Sequence, residues 1–234
     1  MKSALLSSCC IAVLSTAARA DSPPLRHLVY SYTYQSNQSG AVPNDPGSTG
    51  RRTYSGTLGD HGTISVDVLR EAPDRGLVVV VSEQGTNTRS ATGATCAVYG
   101  NTNVVCDPTK TVNSEEYTLL RFLGANFIDA TQVDANNHWS TSQSDKTLSV
   151  KGDYVITSND NGAMTITETR HVDDRAMGEV TTDVQTKLAY NATRLLPTTI
   201  DEYATERRNA GIQGISTTTV QTTLTLVSDS MAKP

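Results

Sequence analysis

The segment from Cys96 to Cys106 restricts this chain more than any other. It reads Cys-Ala-Val-Tyr-Gly-Asn-Thr-Asn-Val-Val-Cys, with β-forming residues on either side of Gly100 and Asn101 and a cysteine near each open end. That is the pattern of a β-hairpin. If Val98 pairs with Val104, Cys96 falls opposite Cys106, and their Cβ atoms come within about 5 Å, close enough for a disulfide. Asp107-Pro108 then breaks the strand. Asn113-Ser-Glu-Glu116 follows, an Asx N-cap with a glutamate at N3, which places carboxylates at the positive end of a helix dipole. The spacing predicts a short helix with Tyr117, Leu120 and Leu123 as its apolar stripe and Gly124 as the left-handed residue that ends it.

The remaining cysteines bear on compartment. Cys9 and Cys10 lie in a stretch where Lys2 precedes an apolar run from Ala4 to Leu14 and then Ala18-Arg-Ala20, the three parts of a secretory leader with cleavage between Ala20 and Asp21. Leu6-Ser-Ser-Cys9 also resembles a lipobox, making a lipoprotein anchored at Cys9 the minor alternative; too little chain precedes it for a full leader. The expected organisation is a signal peptide over 1–20 and one exported β-rich domain over 21–234, periplasmic or secreted, with no membrane span after leader removal. The mature portion then keeps only Cys96 and Cys106, and an oxidising compartment favours their pairing. Losing Lys2 and Arg19 takes the net charge from −5 to −7. That balance argues against nucleic acid or an anionic membrane as the main partner.

Elsewhere the periodicity is that of strands. Leu28, Tyr30, Tyr32 and Tyr34 alternate on one face of a first strand, read as an edge strand half-buried against the core. Residues 35–50, rich in Asn, Gly, Ser and Pro, read as a long loop. Residues 64–68 and the valine-rich 77–81 flank a Pro/Gly connection and form a hairpin, the valine run being a central strand covered on both faces. Residues 154–157 and 164–167 flank Asn159-Asp-Asn-Gly162, a strong hairpin signal. Val180, Val184, Leu188 and Tyr190 share one face of a long strand, and Val220, Leu224 and Leu226 do the same near the C-terminus. Residues 198–208 fit either a helix or a strand and are read as a strand because strands flank them. The expected fold is therefore mainly β: a single antiparallel, curved sheet of about ten strands, meander or half-barrel-like, with one short helix packed on it.

No chemistry-bearing motif emerges. There is no Gly-x-Ser-x-Gly elbow, no phosphate loop and no dinucleotide fingerprint, and the four histidines lack metal-ligand spacing. Residues 157–168 echo a calcium loop but begin with Thr157 in place of an aspartate, so the hairpin reading is preferred and neither metal nor cofactor is expected. The only tryptophan, Trp139, sits among polar residues and either lines a pocket or plugs one end of the core, the latter being preferred. In outline the pattern resembles envelope β-proteins in which a short helix covers a curved antiparallel sheet, as in lipoprotein carriers. The leading expectation is an exported non-catalytic binding or carrier module, with an apolar small molecule held between sheet and helix by Leu120, Leu123, Phe127 and Trp139. The alternative is an envelope or surface protein whose partner is another envelope protein, motivated by threonine-rich solvent faces. An uncharacterised hydrolase ranks third.

Overall fold

The computed structural model describes residues 24–43, 50–72, 76–86, 91–100, 102–124, 127–128, 132–176, 179–209 and 214–231. The expected signal peptide, its cleavage point at Ala20 and Asp21, and Cys9 lie outside the described residues, as do Asn101 and residues 44–49.

Eleven antiparallel strands form one sheet. In chain order they are β1 (Arg26–Pro43), β2 (Arg51–Glu71), β3 (Leu77–Gly85), β4 (Ala91–Val98), β5 (Val104–Cys106), β6 (His138–Ser144), β7 (Leu148–Asp160), β8 (Ala163–Asp174), β9 (Glu179–Asn191), β10 (Leu196–Asn209) and β11 (Ile215–Met231). The spatial order is β5-β4-β3-β2-β1-β11-β10-β9-β8-β7-β6. Two meanders are thus joined by pairing the first strand to the last, Arg26 opposite Met231. The connection from β5 to β6 links the two edges and contains the only helix among the described residues, α1 (Ser114–Arg121).

Local chemistry accounts for the individual turns. Between β7 and β8 the two-residue loop Asn161-Gly162 has positive φ at both positions, 50° and 87°, as a type I′ turn requires. In the β4–β5 hairpin Val98 pairs with Val104 and Cys96 with Cys106, and the disulfide is formed with the Cα atoms 4.0 Å apart. The hairpin's backbone bonds join Tyr99 to Asn103 and Asp107 to Thr95, which leaves Cys96 and Cys106 a non-hydrogen-bonded pair, where side chains approach most closely. The Asn113 N–H donates to Glu116 Oε2 at 2.8 Å, closing the start of α1 as expected. Gly124 is left-handed at φ 91°, but it lies two residues beyond the C-cap Phe122, and its N–H donates to Leu195 O on the β9–β10 turn.

Four expectations need correction. Residues 35–43 are not a loop: they continue β1, pairing with β2 on one side and β11 on the other. Their polar composition reflects water on both faces, since the ladders on each side already satisfy the backbone. The Leu28/Tyr30/Tyr32 face is central rather than an edge, and all three side chains are buried. Tyr117 is exposed and leaves the helix stripe, while Glu115, Glu116, Thr118, Leu119, Leu120 and Arg121 are buried. Residues 198–208 are strand as read, but the valine run is fully covered on one face only, with Val79 and Val81 fully buried and Val78 and Val80 half-buried.

The reason α1 is buried nearly all round lies in the sheet's curl. The edge strands β5 and β6 come close enough to line one common cavity, and α1 touches β3, β5 and β11 from the concave side. Leu28, Ile64, Val66, Ile166, Leu188, Ile200 and Leu224 face inward beneath Leu119, Leu120, Phe122 and Leu123. The opposite face is wet and rich in threonine.

Candidate functional site: an apolar mouth beside the buried helix

One inter-strand row organises the concave face. In register, Trp139, Tyr154, Glu168, Thr186, Glu202 and Thr222 follow one another from β6 to β11, and all six are buried. Arg121 descends from α1 onto this row. Its guanidinium pairs with Glu168 and reaches Glu202 Oε2 at 3.2 Å. Thr118 donates to Glu202 Oε1 at 2.9 Å, Thr186 to Glu168 Oε2 at 2.6 Å and Tyr154 to Glu168 Oε1 at 3.0 Å. Burial pushes the Glu168 carboxyl up, but Arg121, Arg170 and the Thr186 hydroxyl outweigh it and hold the group below its ordinary value. Tyr154, desolvated beside Glu168, is pushed up to about 12.

At the other end of α1 the polar groups are acidic. Glu83 accepts from the Tyr32 hydroxyl at 2.7 Å and from the Asn113 amide at 3.0 Å. Desolvation raises Glu83, and it pushes Glu116 up to about 7. Among the described residues no group of three or more His, Cys, Asp or Glu is placed to hold a metal ion. These groups lie inside the fold and secure the helix.

Open space lies beyond the C-terminal end of α1. A cavity of about 690 Å³ opens where β1 begins and β11 ends, with Leu25, Val68, Leu77, Gly124, Leu195 and Met231 among its walls. Leu25, Leu195 and Met231 are 51, 40 and 74% exposed, so apolar surface clusters at this mouth. Leu195 holds φ 57°, a conformation that bulky residues avoid, and this turns its side chain outward. The rim is charged. Arg26 grips Asp229 with two bonds of 2.7 and 2.6 Å and donates to Arg194 O at 2.7 Å, and Arg194 also pairs with Asp229. The two guanidiniums, Arg26 first, hold the Asp229 carboxyl below its usual range.

No family model and no curated protein matches the chain. Several solved structures resemble it in part, a lipovitellin and an outer membrane channel among them. A lipovitellin structure, described in terms of lipid–protein interactions, aligns at a TM-score of 0.44 and 10% identity, covering 90% of this chain and 26% of that one. An outer membrane channel from Pseudomonas putida F1 aligns at a TM-score of 0.30 and 11% identity, covering 89% of this chain and 98% of that one.

The residues expected to bind ligand are brought together, and they are all buried. Leu120, Leu123, Phe127 and Trp139 are each at most 4% exposed. Phe127 packs edge-on against Trp139 and Tyr154, both at 5.9 Å, and Trp139 stacks on Tyr154 at 5.0 Å. Sequence reading missed the mouth, the Arg26/Arg194/Asp229 rim and the Arg121/Glu168/Glu202 network. Alternation did carry a signal for the last of these, because Glu168 and Glu202 occupy inward positions in their strands. Among the described residues no helix is long and apolar enough to cross a membrane.

Proposed function

We propose that this is an exported, non-catalytic binding or carrier module whose apolar ligand enters at the mouth beside Gly124. The observation that carries this reading is the cavity of about 690 Å³ walled by Leu25, Val68, Leu77, Leu195 and Met231, a size suited to a small organic molecule. Export is supported by the formed disulfide, since such bonds persist in oxidising compartments. Leu120, Leu123, Phe127 and Trp139 act in this reading as the wall behind the mouth. Phe127 packs on Tyr190 at 5.3 Å, and the Tyr190 hydroxyl donates to Gly124 O at 2.9 Å, which seats the cavity wall.

The test is titration with N-phenyl-1-naphthylamine, a neutral apolar fluorophore, together with mass analysis of lipid co-purifying from the native host. Saturable binding is expected, weakened about tenfold by Leu195→Asn, which removes apolar surface while suiting the left-handed backbone. No saturable binding and no co-purifying apolar molecule would overturn the reading.

A second reading, an envelope protein that docks a partner strand, is favoured by one observation. Among the described residues β3 pairs with β2 only from Gly62 onward, so residues 51–58 meet β1 on one side and no described strand on the other. Residues 53–58 are uncharged and exposed, an edge open to pairing. Leu58→Lys should abolish any self- or hetero-association seen by light scattering, and a strictly monomeric, partnerless protein counts against it.

A further inference from the structure

We propose that the cavity between the sheet's two edges is a second site, one that binds a small organic anion through Arg170. This cavity, about 490 Å³, lies between β5 and β6 and under α1. Its polar lining comes from Asn103, Tyr117, Thr141, Ser142 and Gln143, with the guanidiniums of Arg121 and Arg170 at its inner end. Among the described residues that line it, two are cations and none is a carboxylate. Hydroxyl and amide donors beside a buried positive charge are the environment an oxyanion needs.

Arg170 is the incomplete group. Its side chain is 17% exposed, and its contact with a carboxylate is Nε to Glu168 Oε1 at 3.7 Å, too long for a hydrogen bond. Its Nε is buried without a hydrogen-bond partner. Glu168 has little capacity left to serve it, since Oε1 accepts from Arg121 and Tyr154 and Oε2 from Thr186. A guanidinium held this deep is costly unless an acceptor completes it, and the open side is the cavity. Desolvation and the neighbouring Arg121 both disfavour its charge, the cost that an entering anion relieves. The cavity's outer wall is also strained: Thr102, a β-branched residue, sits at φ 60° where the β4–β5 connection meets the site.

Carboxylate and phosphate present the same paired oxygens to the guanidinium fork, and Val104, Leu148 and Val150 supply an apolar surface for the body that carries them. Benzoate and phenyl phosphate separate the two sources, and the mature protein is titrated with each by calorimetry and thermal shift at low ionic strength. At least one probe is expected to bind saturably and raise Tm. Arg170→Gln should weaken it by at least about tenfold, and Arg170→Lys, which keeps charge but loses the fork, should fall between. The exposed control Arg207→Gln should bind as the parent does. Because Arg170 Nε makes no hydrogen bond and its contact with Glu168 is long, Arg170→Gln should fold with a Tm close to the parent's. Gln143→Glu, which places a carboxylate at the cavity on the face of β6 that Trp139 and Thr141 share, should raise Tm and abolish probe binding. Neither probe should displace N-phenyl-1-naphthylamine, so the two sites fail or succeed separately. No saturable binding of either probe, or binding indifferent to Arg170→Gln, overturns the proposal.

Discussion

Arg121, on the last turn of the helix, lies between Glu168 of β8 and Glu202 of β10, pairing with both while Thr186 of β9 donates to Glu168 from the intervening strand. One helical side chain therefore ties together three adjacent strands inside a hydrophobic core. Its Nε has no hydrogen-bond partner, so the network is held by the two terminal nitrogens.

Removing that cation leaves two carboxylates buried against each other's field. Arg121→Met is expected to cost about 3–5 kcal/mol in urea unfolding. Adding Glu168→Gln and Glu202→Gln should recover part of the loss, because the uncompensated charge and not the missing packing dominates. A triple variant no more stable than the single would contradict this assignment.

The disulfide closes a short hairpin whose register is already set by its turn. Replacing Cys96 and Cys106 by serine should cost about 2–4 kcal/mol. Hydrogen exchange should accelerate first at Val98, Val105 and Leu120, with β8 to β10 retaining protection. Mass mapping of the unreduced protein checks the bond, and free thiols at Cys96 and Cys106 would defeat it.

Stability should fall as the pH rises from about 4 to about 7, the window between Glu116's unfolded carboxyl and its folded value of about 7. The folded state keeps its proton where the unfolded chain has already released it, so the contribution is complete at low pH and lost on the way up. Glu83, also raised by burial, acts in the same sense. Glu168 is lowered and withdraws stability only as the pH falls through its own, more acidic range. Glu116→Gln should flatten the slope between pH 5 and 8 in denaturant midpoints. A slope unchanged in that variant would assign the effect elsewhere.

Trp139 stacks on Tyr154 with an interplanar angle of 11° and meets Phe127 edge-on. Trp139→Ala should cost about 3–5 kcal/mol, and the parent's fluorescence should shift to the red in one transition with unfolding. An emission maximum typical of exposed indole in the native state would show that the ring is not packed as described.

What the sequence determined by itself was local. The Cys96/Cys106 register, the Asn161-Gly162 turn and the Asn113/Glu116 cap each depend on residues within about ten positions of one another, where propensity and turn geometry decide the outcome. The alternation along β9 likewise marked its inward face, Val180, Val184, Leu188 and Tyr190. Tertiary structure decided the rest. Tyr30 and Tyr32 are central and not at an edge because β1 pairs with β11 across almost the whole chain, and no local pattern specifies so distant a partner. Residues 35–43 are strand because neighbours on both sides satisfy their backbone, despite a composition that taken alone suits a loop. The Arg121 network, the apolar mouth and the Arg170 cavity exist only where the curled sheet brings its edges and ends around the helix. The positions of the charges were legible, but their partners were set by the packing of strands far apart in the chain.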